Sequence, residues 1–142
     1  MANEMKRSEI ESLLNELKEG TLMLVDGDKP YGVACWYCFD GNDIWLGLLP
    51  KGRKFECMKI NPNAAFSVFK SDDEGWCSVI AEGKIEQVKD REGILSGLKL
   101  ASQKYNMPQE VLEAQVEKFS KAPDKSMTFR LKVKSLSGRK SY

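Results

Sequence analysis

TLMLVDGDKPYGVACWYCFDGNDIWLGLL, residues 21–49, alternates β-rich runs with turn clusters and sets the class of the fold. Thr21–Asp26 and Tyr31–Asp40 are rich in branched and aromatic residues, and Gly27-Asp28-Lys29-Pro30 separates them. Two such runs around a Gly/Pro cluster read as a hairpin. Asp40-Gly41-Asn42-Asp43 forms a second turn into the run Ile44–Leu49, which Pro50-Lys51-Gly52 ends. Downstream, Arg53 to about Ile60 reads as a short helix that buries Phe55 and Met58 and stops at Asn61-Pro62. Ala64–Lys70 is a fourth strand, SDDEG a turn, and Trp76–Val88 a long fifth strand. Met127–Leu136 alternates apolar and basic residues and closes the set as a sixth.

Two helical regions frame these strands. Ser8-x-x-Glu11 has the form of a capping box, followed by Ile10, Leu13, Leu14 and Leu17 at helical spacing and by Gly20 as a stop. The expectation is an N-terminal helix over residues 8–19. Between the fifth and sixth strands, Ile94, Leu95, Leu98 and Ala101 recur at helical spacing, and so do Val111, Leu112, Val116 and Phe119 after Pro108. They predict a helical insert over about 90–120. Six strands at about 21–88 and 126–136, joined mainly by hairpins, argue for a mainly β chain folded as one closed or nearly closed barrel across residues 1–142.

Composition narrows the chemistry. The chain has 142 residues, 42% apolar and 30% charged, with 22 Lys plus Arg against 21 Asp plus Glu and a net charge of +1. That balance argues against a nucleic-acid or membrane-surface protein. No apolar run reaches the ~18 residues of a membrane span, and the N-terminus lacks the apolar core of a signal peptide, so the expectation is a cytoplasmic protein. There is no histidine, which removes Ser–His and Cys–His nucleophiles, an imidazole base and His-ligated metals. Cys35 and Cys38 form a CxxC, but on a strand their side chains point to opposite faces. Cys57 and Cys77 stand alone, so reduced structural cysteines with no metal are expected.

The segment with chemical content is LGLLPKGRKFE, Leu46–Glu56. A strand ends there, a Pro/Gly turn exposes backbone N–H groups, and Arg53-Lys54 opens a helix whose first amides point outward with positive partial charge. A guanidinium and an ammonium added to those donors have the makings of a phosphate cradle; a solvated basic turn is the plainer reading of the same residues. Val33–Trp36 and Trp76–Ser78 offer an apolar wall beside it, although each Trp alone is as well read as core. A third class, single-strand nucleic-acid binding, has in its favour the acid-free basic tail from Lys125 to Lys140. On the closing strand, however, those charges alternate with Phe129, Leu131 and Val133, as on any half-buried strand with one wet face.

In that order of parts the chain resembles the pyridoxamine 5′-phosphate oxidase-like flavin-binding split barrels, including their nitroimidazole-resistance branch. The resemblance rests on GTLMLVDGDKPYGVACWYCFDG, IWLGLLPKGRKFECMKINPNAAFSVF, WCSVIAEGKIEQV and the closing strand with its SLSGRKS tail. It implies a six-stranded Greek-key split barrel that forms a homodimer with FMN at the interface. Carried over by position, Arg53 and Lys54 hold the phosphate, and Leu46, Gly47 and Leu48 pass beside the flavin. Ala34, Cys35 and Trp36 flank the ring, and Ser78 offers a hydroxyl from the far side. The implied activity is that of an oxidoreductase passing hydride or electrons from a nicotinamide donor to a small organic acceptor. The alternative is a non-catalytic binding module of the same fold. Gly47 stands where many of the nitroimidazole-resistance relatives have His, and the tail lacks the Arg-x-His of the true oxidase, which argues against vitamin B6 synthesis. Haem, bound by some relatives, would have to rely on Cys, Met or Tyr here.

Overall fold

A computed structural model of the chain describes residues 2–142. The strands are β1 (Asn3–Glu4), β2 (Glu19–Asp26), β3 (Lys29–Phe39), β4 (Ile44–Gly47), β5 (Asn63–Asp72), β6 (Gly75–Gln87) and β7 (Thr128–Lys140). The helices are α1 (Arg7–Glu16), α2 (Arg53–Ile60), α3 (Arg91–Tyr105) and α4 (Gln109–Lys121), with one 3-10 turn at Pro123–Lys125. Among the described residues no helix is long and apolar enough to cross a membrane, and no cluster of ligating side chains could hold a metal ion.

All pairings are antiparallel, in the order β7-β4-β3-β2-β5-β6, and β6 then pairs back onto β7 to close a six-stranded barrel. The two-residue β1 is a seventh strand beyond the expected six; it adds to the end of β7 through Asn3↔Lys140 and Glu4↔Arg139. β7 runs on to Lys140, past the expected end at Leu136, because β6 is long enough to pair it from Cys77↔Lys140 to Gln87↔Phe129. The barrel interior is filled by alternate residues of each strand, among them Leu22, Leu24, Tyr37, Ile44, Phe66, Val79, Phe129 and Leu131, all at most 3% exposed. α1 plugs one end with Ile10, Leu13 and Leu14, and α2 contributes Cys57 and Met58. The Tyr37 hydroxyl, deep in this core, donates to the Leu14 carbonyl at 2.6 Å and so ties α1 to β3.

Two local expectations at the N-terminus are corrected. The helix opens at Lys6, whose backbone N–H donates to the Glu9 carboxylate at 2.9 Å; Ser8 and Glu11 already lie inside the first turns. Gly20 does not stop this helix but sits in β2, where a Cβ would come within 2.4 Å of the Phe66 ring. Only hydrogen fits at that crossing, so the glycine serves packing.

The helical insert covers the barrel wall. Ile94 and Leu98 of α3, with Leu112, Val116 and Phe119 of α4, pack on Cys38 and Trp45, the outward-facing residues of β3 and β4. At Gly97 a Cβ would lie 2.6 Å from a Thr128 methyl and 2.9 Å from the Trp45 ring, so the helix backbone rests almost directly on the sheet.

Candidate functional site

The barrel is split where β3 outruns β4. β3 pairs with β2 from Lys29 to Trp36 but with β4 only from Tyr37 to Phe39. In the β2–β3 hairpin the closing pair is Asp26↔Lys29 around Gly27-Asp28, so alternation turns the N–H and C=O of Gly32, Ala34 and Trp36 away from β2, towards the split. Pro30, which has no N–H to offer, stands on the same side. After Gly47 the chain leaves the sheet: Leu48 N–H donates to the Met127 carbonyl at 2.9 Å, and the turn at residues 50–52 carries the chain to α2.

α2 begins beside the far end of this open edge. Gly52 is its N-cap at φ 86°, with no side chain capping the amides that follow, so the first-turn N–H groups are free to meet a ligand or water. Arg53 is not free in the same way. Its Nε and one terminal nitrogen reach Asp26 Oδ2 at 2.9 and 2.8 Å, and its guanidinium lies 4.0 Å over the Tyr31 ring. The sequence sets two cations at a helix start against the dipole, and for Arg53 the compensating anion is Asp26 of the hairpin. The remaining guanidinium N–H groups, the Lys54 ammonium and the α2 amides are the donors left for a bound anion. From Tyr31, under Arg53, to Trp36 the strand runs five residues, roughly 17 Å.

Alternation decides how β3 meets a ligand. Ala34 and Trp36 are exposed on the outer face, whereas the Cys35 side chain packs against the barrel core and burial pushes its thiol up to about 11. Cys35 therefore presents only backbone to the outside. Cys38 faces outward under α3, so the CxxC sulfurs do lie on opposite faces, and all four cysteines are free thiols.

Leu46, Gly47 and Trp36 come together, lining a cavity of about 270 Å³ between β3–β4 and the helices α3 and α4. Leu48 is buried in the barrel core, and Gly47 is exposed, with nothing within 4 Å of where a Cβ would stand. Ser78 is not brought to this side. It lies on the outer face of β6, and β2 and β5 intervene between β6 and β3, a span of about 14 Å. That stretch of outer face holds one register row, Ala34–Thr21–Ser67–Ile80, with Phe69 63% and Ile80 40% exposed beside it.

The sequence reading missed the helical side of the cavity. The Tyr105 ring stacks on Trp36 at 5.1 Å with an 11° interplanar angle. Its hydroxyl takes the place that β2 leaves when it turns into α1: it accepts from Tyr37 N–H at 3.2 Å and lies 2.6 and 2.9 Å from the Tyr37 and Lys18 carbonyls. Burial pushes that phenol up to about 12. The Lys104 ammonium sits 3.9 Å over the Tyr37 ring, and burial pulls its pKa below the usual lysine value. Nothing local in the sequence marks Tyr105 as a neighbour of Trp36, since 69 residues separate them.

Comparison with known proteins assigns the fold. The structure superposes on a candidate 5-nitroimidazole antibiotic resistance protein from Bacteroides thetaiotaomicron with TM-score 0.77 at 18% identity, covering 99% of this chain and 87% of the other. It superposes on an FAD-binding protein from Mesorhizobium loti with TM-score 0.70 at 23% identity (99% and 96% covered). An FAD-binding protein from Mycobacterium smegmatis gives TM-score 0.68 at 14% identity, with both chains covered in full. Curated proteins yield no match. The sequence profile of the pyridoxamine 5′-phosphate oxidase family matches residues 6–140. Profile and split barrel agree: the chain belongs to the pyridoxamine 5′-phosphate oxidase family.

Proposed function

We propose that the chain binds flavin mononucleotide along the split edge of β3 and works as a homodimeric oxidoreductase between a nicotinamide donor and a small organic acceptor. The observation that carries the reading is the open edge from Gly32 to Trp36 with the uncapped start of α2 at its end. The residues fit the group. Free amides at the α2 start, Lys54 and the unpaired part of Arg53 supply the donors a phosphoryl group needs. The backbone of Gly32 and Ala34 and the Trp36 N–H offer donors and acceptors to the polar rim of a flat ring, and the Trp36 side chain offers a polarizable neighbour. When bound, the flavin supplies the hydride and electron chemistry; the protein holds its tail, orients its ring and keeps the far wall dry with Trp45, Leu98 and Phe119. Two structural neighbours are FAD-binding proteins, which supports a flavin while leaving its tail to experiment.

The outer face of β3-β2-β5-β6 is what supports a dimer in this reading. Antiparallel sheets commonly turn a polar face to water, but this one presents Phe69, Ile80 and Trp36 among small residues. A second copy on the same face makes an isologous interface and lets one chain's Ser78 approach the other's Ala34 and Trp36, a meeting that about 14 Å of sheet forbids within one chain.

The test is the absorbance spectrum of the purified protein, with mass spectrometry of the extracted chromophore and the native mass. Flavin bands, extracted FMN, a dimer mass and bleaching by NADH or NADPH are expected. A yellow dimer that neither cofactor bleaches is the non-catalytic binding module. A colourless protein that takes up no added flavin overturns the reading.

A further inference from the structure

We infer that Tyr105 is a positioning residue for the open edge of β3: its hydroxyl fixes the backbone where β2 and β3 part, and its ring holds Trp36 in one orientation. The inference rests on the reading that a flavin lies along that edge.

Trp36 is the joint of the strand. It makes the last pair with β2, opposite Glu19, and the pairing with β4 starts at the next residue, Tyr37, opposite Leu46. Neither neighbouring strand spans the joint, so β3 changes partners at the point where its open edge ends. The Tyr105 hydroxyl closes that gap from outside the sheet. It accepts from the Tyr37 N–H at 3.2 Å and lies 2.6 and 2.9 Å from the Tyr37 and Lys18 carbonyls, which its single proton serves. Bonding both the N–H and the C=O of one residue is what the facing residue of a neighbouring strand does. Tyr105 thus stands in for a strand residue, carried on a helix.

The ring does a second job. Trp36 stands on the outer face with 62% of its surface exposed, and an exposed indole on a strand has several staggered rotamers open to it. Tyr105 removes that freedom by covering one face at 5.1 Å and 11°. The other face stays open. A side chain ordered before its ligand arrives adds no ordering cost to binding.

Tyr105 is itself held from both sides. It is the last residue of α3, and Asn106 ends the helix in the left-handed region at φ 59°. The Lys104 ammonium before it sits 3.9 Å over the Tyr37 ring and reaches the Leu14 carbonyl at 3.4 Å. Beyond it, the Ser102 hydroxyl donates to the Met107 carbonyl at 2.9 Å and ties down the turn. Through this one side chain the helical insert sets both the backbone and the exposed ring at the end of the edge.

The experiment joins calorimetric titration with FMN to fluorine NMR of flavin-free protein in which the three tryptophans are replaced by 5-fluorotryptophan. Tyr105→Leu, which loses hydroxyl and ring, should weaken FMN about 10-fold, and Tyr105→Phe, which keeps the ring, should restore binding to within about threefold of wild type. In a Trp36→Ala background the choice between Tyr105→Phe and Tyr105→Leu should change the affinity less than about twofold, because the ring acts through Trp36. Without flavin, the Trp36 signal, assigned by its loss in Trp36→Phe, should move in Tyr105→Leu while the Trp76 signal stays still. Leu112→Ala is the control for simple loosening of the insert: Leu112 is buried on α4 away from Trp36, so the variant should melt earlier and bind FMN as wild type does.

The inference is overturned if wild type binds FMN and Tyr105→Leu binds it equally well. It fails too if the ring matters as much without Trp36, if the Trp36 signal does not move, or if Leu112→Ala weakens FMN as much as Tyr105→Leu does. A wild-type protein that takes up no FMN overturns the flavin reading and this role within it, whereas wild-type binding with an indifferent Tyr105→Leu overturns this role alone.

Discussion

Arg53→Ala separates two jobs that the structure gives one side chain. As a strut, Arg53 joins α2 to the hairpin through Asp26 and Tyr31. Its side chain is 53% exposed and Asp26 42%, so solvent screening holds the ion pair to about 0–1 kcal/mol. The stacking on Tyr31 adds roughly 0.5–1 kcal/mol at an exposed site. Loss of both is worth about 1 kcal/mol, a fall in Tm of roughly 3–6 °C for a domain of this size. The variant should fold. As a phosphate donor, Arg53 makes a charge-assisted hydrogen bond worth about 1.5–3 kcal/mol, so FMN affinity should drop about 10- to 150-fold. Calorimetric titration with FMN and a melting curve on the same preparation read the two effects apart. Asp26→Asn is the control: it removes the ion pair but keeps Arg53 on Tyr31, so it lowers Tm by less than Arg53→Ala does, and it should not weaken FMN because it removes a negative charge beside the phosphate. If Arg53→Ala melts a few degrees earlier and binds FMN as wild type does, Arg53 is a strut alone and its assignment to the phosphate is wrong.

Other expectations follow from the packing and the charges. Phe129→Ala, at a fully buried position between β4 and β6, should cost about 3–5 kcal/mol in urea unfolding; a cost under 1 kcal/mol would mean that the barrel interior is not packed as described. Gly97→Leu should force α3 off the sheet, lowering the urea midpoint and exposing Trp45 to acrylamide quenching, whereas Gly47→Ala, with open space around it, should leave both unchanged. The Glu9 carboxyl is held below its ordinary value by Lys140 and by the Lys6 backbone amide. A depressed carboxylate stabilises the fold above its unfolded pKa and loses that contribution as pH falls through the folded one, so the stability gap between wild type and Glu9→Gln should be present at neutral pH and close in acid. A gap independent of pH would show that the pair is electrostatically idle.

The strand positions and most of the barrel were legible because hairpin turns punctuate the chain between Thr21 and Val88 and burial alternates along β2, β5 and β6; it fails at Tyr37–Phe39 and Ile44–Leu46, which the docked helices bury on both faces. The errors fall where local signals compete. Ser8-x-x-Glu11 satisfies the capping pattern, but Lys6 and Glu9 satisfy the same backbone bond two residues earlier, and only the path of the entering chain chooses between them. Gly20 looks like a helix stop because the ring it accommodates, Phe66, is 46 residues away. Ser137–Lys140 reads as a tail in isolation and becomes strand because β6 offers a partner for it. In the site, the inward turn of Cys35 was available from strand alternation alone. Asp26 as the partner of Arg53, and Tyr105 as the partner of Trp36, were not: each is a contact between distant segments that the closed barrel and the docked helices create.

The central claim is tested most directly by a crystal structure of the protein grown with flavin mononucleotide. The account predicts the phosphate within hydrogen-bonding distance of the α2 amides and Lys54, and the ring lying along the open edge of β3 from Gly32 to Trp36. Clear density for the nucleotide anywhere else, or crystals that leave that edge accessible and bare at saturating ligand, would contradict it.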